Sequence, residues 1–113
     1  MVIPQLSDAD LLKIYKDGEQ RYKEKIPPGY QDVKKEGNKK YGDLIIWNEM
    51  INYSKLIKKD ILFITDDTKE DWVLRLNGIS LDPRKELLVE FKQKSEQLFY
   101  LLSSSNFIDQ FSK

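Results

Sequence analysis

The run "ILFIT", Ile61 to Thr65, sits between Lys58-Lys59-Asp60 and Asp66-Asp67 and holds no polar residue before its last position. So short an apolar stretch, rich in β-branched and aromatic residues, lacks the alternation of a strand with one wet face. It reads as a strand covered on both faces, the form strands take in a parallel sheet between helices. A chain built around it must supply helices to cover it.

The neighbouring segments supply them. "DLIIWNEMINYSKLIKK" starts at Asp43, a candidate cap, with apolar residues at 46, 50, 53 and 57 and at 44, 47 and 51, two adjoining stripes of a well-buried helix. Upstream, "LSDADLLKIYKDGEQRYKEK" has Ser7 as its cap and Leu11, Leu12, Ile14, Tyr15 and Tyr22 along one side, an amphipathic helix weakened at Gly18. Downstream, Asp82 and Pro83 open "RKELLVEFKQKSE", with Leu87, Leu88 and Phe91 at helical spacing. "QLFYLLS" reads as a second buried strand and "SSNFIDQFSK" as a short closing helix capped by a serine. "VLRLNGISL" fits more than one state. The order helix, helix, strand, helix, strand, helix predicts parallel pairing in an α/β layered fold. Two strands make a thin sheet with open edges, so strands are expected to be missing or supplied by a partner.

Between the first two helices, residues 26–42 form a Pro- and Gly-rich segment, the most basic in the chain, expected to cross the surface as a loop. At 113 residues the chain is the size of one domain, and 40% hydrophobic residues are enough for one core. Nineteen basic and nineteen acidic residues cancel, so any nucleic-acid contact must be a local patch such as Lys34 to Lys40. With no cysteine and no histidine, thiolate zinc sites, disulfides and imidazole bases are excluded, leaving carboxylate, lysine, hydroxyl and backbone. No apolar run approaches the roughly 20 residues of a membrane span, and the opening "MVIPQLSDAD" is unlike a signal peptide, so a cytoplasmic location is expected.

Asp66 and Asp67 follow the first predicted strand, where open α/β sheets bind ligands. A helix preceding that strand runs antiparallel to it, which places Asp43 at the same edge, and Asp71 lies a few residues on. Close carboxylates repel unless a cation neutralises them, and oxygen ligands without histidine or cysteine suit Mg²⁺ or Mn²⁺. Such a metal serves phosphodiester hydrolysis, with nearby lysines on a nucleic-acid backbone. The same residues also fit a bland account in which Asp43 is an N-cap, "DDTKED" a solvated turn and the lysines an exposed loop. Trp47 and Trp72 fit core packing better than base stacking; for Tyr30 and Tyr41 both roles stay open.

Four ordered motifs, "KIPPGYQD" (Lys25 to Asp32), "YGDLIIW" (Tyr41 to Trp47), "TDDTKEDW" (Thr65 to Trp72) and "PRKEL" (Pro83 to Leu87), together resemble the PIN-domain nucleases, most closely a bacterial PIN-like subgroup, from about Arg21 onward. The resemblance implies an Mg²⁺- or Mn²⁺-dependent nuclease, usually acting on RNA, with Asp43, Asp67 and Asp71 as catalytic metal ligands and Asp66 beside them as a further metal ligand. Lys25, Lys35 and Arg84 match the family's basic positions, and with Lys39 and Lys40 they are the expected phosphate contacts. PIN domains open with a strand ending in an essential aspartate, followed by another acid. Before Arg21 this chain has "MVIP" and one helix, with Asp8 and Asp10 in the wrong context, and Glu19 or Glu24 is at best the second acid. The sequence is thus expected to be the C-terminal part of a PIN-like domain, either a fragment of a metal-dependent ribonuclease or a non-catalytic module that pairs through its sheet edge with itself or a partner.

Overall fold

A computed structural model describes residues 6–66, 69–76 and 80–111. Helix α1 (Asp8–Lys23) opens with a capping box in which the Ser7 hydroxyl accepts from the Asp10 amide at 3.1 Å and the Asp10 carboxylate accepts from the Ser7 amide at 3.2 Å. Its buried side presents Ile14, Gly18, Arg21 and Tyr22, while Leu12 stays exposed. Gly18 is a contact rather than a flaw. A Cβ there would lie 2.6 Å from Tyr41 Cε1, so only glycine lets that ring close on the helix.

Helix α2 (Gly42–Ile57) buries Leu44, Trp47, Met50, Ile51 and Ser54. The 44-47-51 stripe is the core face; the other stripe is only partly covered, Ile46 being 43% exposed. The helix begins at Gly42 after Tyr41, with no side-chain cap, so Asp43 lies in the first turn and is not the N-cap. It ends at Lys58 in the left-handed region, φ 57°.

Strands β1 (Ile61–Ile64) and β4 (Phe99–Leu102) pair in parallel, Ile61 against Phe99 through Ile64 against Leu102, as the sequence predicted. Between them the ambiguous segment forms an antiparallel pair, β2 (Val73–Leu76) and β3 (Ser80–Pro83). Asp82 and Pro83 therefore belong to β3, and helix α3 (Lys85–Ser95) starts after Arg84 rather than at the expected Asp82. Helix α4 (Ser104–Phe111) is capped by a serine as expected, the Ser103 hydroxyl accepting from the Asn106 amide at 3.1 Å.

The result is a small parallel sheet flanked by helices, with the core on one face. Trp47 stands at the centre, edge-on to Phe99 at 5.0 Å and to Trp72 at 6.2 Å, and tilted against Phe91 at 5.5 Å. Both tryptophans are buried, as the packing account required. Trp47 Nε1 donates to Glu90 at 2.7 Å, and Arg21 grips the same carboxylate at 2.6 and 2.8 Å. One α3 carboxylate thus joins α1, α2 and α3. The expectation that β1 is covered on both faces is corrected, since Leu62 and Ile64 are 41% and 40% exposed. The 26–42 segment is also more than a surface loop. It contains two 3₁₀ turns, Tyr30–Asp32 and Gly37–Tyr41, and buries Pro27, Pro28, Gly29, Tyr30 and Tyr41, because the aromatic rings use α1 and α2 as a floor.

Candidate functional site

Three stretches remote in sequence meet at the amino end of α2. The first turn of α2 carries Asp43, and its Oδ2 accepts from Trp72 Nε1 at 3.1 Å. Asp71, the residue before that tryptophan, is fully buried, and its Oδ2 accepts from the Gln31 amide at 3.0 Å. A turn makes this possible: the amides of Trp72 and Val73 both reach back to the Lys69 carbonyl, so consecutive side chains 71 and 72 aim at different partners.

The third stretch is the loop after α1. Gly29 has φ 96°, and a Cβ there would stand 2.5 Å from the Tyr22 hydroxyl and 3.3 Å from Asp43 Cβ. Glycine is needed for both the conformation and the close approach. The buried Tyr22 hydroxyl donates to the Lys40 carbonyl at 2.7 Å, tying the basic segment to the acids. Burial pushes that hydroxyl's pKa up, and the negative charges of Asp43, Asp32 and Asp71 push it further. Three aspartates from separate segments therefore act on one hydroxyl.

Of the expected site residues, the fold brings Asp43 and Asp71 together. Asp66 turns to Ser104, accepting from its amide at 3.0 Å and its hydroxyl at 2.8 Å, and these bonds hold its carboxyl below the usual range. Asp67 lies outside the described residues. Among the described residues no group of three or more acidic side chains is arranged to hold a metal ion. Asp32, the one acid of the "KIPPGYQD" motif, is not among the residues expected at the site. It meets Lys69 at 3.2 Å and Lys35 at 3.5 Å.

The basic residues divide into two kinds. Lys25 and Lys39 are exposed, and Lys40 lies 5.3 Å over the Tyr41 ring. Arg84 is held in place: Nη1 donates to the Glu70 carbonyl at 2.8 Å and to Tyr30 Oη at 3.2 Å, and Nη2 meets Glu86 at 2.6 Å. Tyr30 and Tyr41 are buried, which settles them as packing residues.

Comparison with known families returns one described as "PIN like domain", matching residues 1–87 and so including α1, which precedes the motifs quoted above. No curated protein and no solved structure matches the chain. The match covers well over half of the sequence, in a family that generally comprises nucleases, and the chain belongs to the PIN-like domain family.

Proposed function

We propose that this domain serves metal-assisted hydrolysis of phosphodiester bonds in RNA, with Asp43 and Asp71 as cation ligands and Asp67 as the further acid implied by the motif. The observation that carries this reading is that Asp43 and Asp71, 28 positions apart in sequence, are brought near each other through Trp72, whose indole donates to Asp43 and whose chain neighbour is Asp71, each carboxylate being oriented by a specific donor. The donor set suits a hard cation: oxygen ligands only, in a chain without histidine or cysteine. Mg²⁺ keeps several waters and is commonly held by one or two carboxylates together with substrate phosphate, which two converging aspartates can satisfy. Bound there, the cation supplies phosphate polarisation and a water of lowered pKa.

The chain's own residues then do the positioning. Trp72 fixes one oxygen of Asp43, and the Gln31 amide fixes one oxygen of Asp71. The exposed Lys25, Lys35 and Lys39, together with Lys40, provide positive charge for the RNA backbone. Arg84 supports the turn from behind through the Glu70 carbonyl and Tyr30, rather than reaching into solvent.

Calorimetric titration with Mn²⁺ tests the reading. Saturable binding is expected in the native chain, reduced at least tenfold in Asp43→Asn and Asp71→Asn, with cleavage of single-stranded RNA following the same order. Absence of binding at millimolar Mn²⁺ would overturn it.

A further inference from the structure

We propose that the outer edge of β1 pairs with β1 of a second copy of this chain, antiparallel and about a two-fold axis at Leu62. This inference does not depend on the nuclease reading. Among the described residues β1 has one strand neighbour, β4. Their aligned residues are unequally covered. Phe99 and Leu101 on β4 are 4% and 8% exposed, whereas their register partners Ile61 and Phe63 are only half-buried. β4 is covered by α3 and β3, so the deficit lies on the β1 side.

The edge is prepared for pairing. The amides of Ile61 and Thr65 donate to the Leu98 and Leu102 carbonyls, so the alternate residues Leu62 and Ile64 turn their N–H and C=O groups outward. Residues 61–65 contain none of the lysines, prolines or other charges that guard the edges of monomeric sheets.

Charge selects the occupant. Lys58 and Lys59 precede the strand and Asp66 follows it, all exposed. A second copy in parallel would set lysine beside lysine and aspartate beside aspartate. Antiparallel pairing with Leu62 opposite Leu62 sets Asp60 across from Ile64 and brings the Lys58-Lys59 end of each strand beside the Asp66 end of the other, so opposite charges lie at both ends. In this register the outward groups of Leu62 meet those of its symmetry mate, and the two cores lie on the same side of a continuous four-stranded sheet. Each Leu62 side chain covers its counterpart across the axis.

An interface this small predicts a weak dimer, with a dissociation constant on the order of 10 to 100 µM. Analytical ultracentrifugation of the full chain tests it. The expected result is twice the chain mass at high concentration, a monomer for Lys58→Glu with Lys59→Glu, a monomer for Asp66→Lys, and a dimer restored when these two variants are mixed. Because Asp66 also holds Ser104, Leu62→Pro serves as a second variant: it deletes an outward N–H while leaving the bonds to β4, and it should be monomeric with unchanged circular dichroism. A chain monomeric at every concentration would overturn the proposal and leave the edge to a strand from a different polypeptide. So would a dimer indifferent to the charge reversals and to Leu62→Pro.

Discussion

At Trp72 a single indole does two jobs: its ring packs between Trp47 and Phe63, and its N–H reaches the Asp43 carboxylate. Phenylalanine would keep most of the packing and delete the hydrogen bond. Trp72→Phe should therefore cost about 1 to 2 kcal/mol in urea denaturation, the worth of one charge-assisted bond at a half-buried acceptor. If the nuclease reading holds, the same variant lowers Mn²⁺ affinity because Asp43 loses its orientation. Gly18 gives a second prediction. Alanine is the better helix former by about 1 kcal/mol, but its methyl would press on the Tyr41 ring, which is buried and braced by Tyr15 and Tyr22. Overpacking of a fixed ring costs about 1 to 3 kcal/mol, so Gly18→Ala should be net destabilising, read as a lower denaturation midpoint at unchanged slope.

Among the elements, the join of α1, α2 and α3 depends on Glu90. Burial pushes its carboxyl up, yet hydrogen bonds from Arg21, Lys94 and Trp47 and the Arg21 charge outweigh it and bring the pKa down from 4.5 to about 2. A depressed folded-state value means that the stabilisation is complete above the unfolded pKa and is lost as pH falls through the folded one. Stability should thus fall by about 3 kcal/mol between pH 4.5 and pH 2 on account of this group. Denaturation curves across that window check it, and Glu90→Gln should flatten the dependence while lowering stability at neutral pH, since Arg21 would be left buried without its counter-charge.

For the whole molecule, the proposed cation should act as a stabilising ligand. At about a hundredfold excess over its dissociation constant it contributes about 3 kcal/mol, visible as a raised thermal midpoint in Mn²⁺ that Asp71→Asn reduces by half or more. RNA binding should be strongly salt-dependent although the chain has no net charge, because the contacts are local. Replacing Lys25, Lys35 and Lys39 together by alanine should reduce the log–log salt slope by about 2.

The sequence by itself determined the four helices, the two parallel strands with the pairing of 61–64 with 99–102, and the family, because these rest on local apolar spacing and on ordered motifs carried in the chain. It also named Asp43 and Asp71 among the acids of one expected site. Only the tertiary structure decided which acids gather. Asp66, itself an expected ligand, is drawn to Ser104, whereas Asp32, which the sequence reading did not single out, pairs with Lys69, 37 positions away. The helix start at Lys85 and the exposed face of β1 escaped the sequence for the same reason. Whether a short apolar run is covered, or a proline belongs to a strand or a helix, depends on what lies beside it in space, and spacing along the chain carries no record of that neighbour.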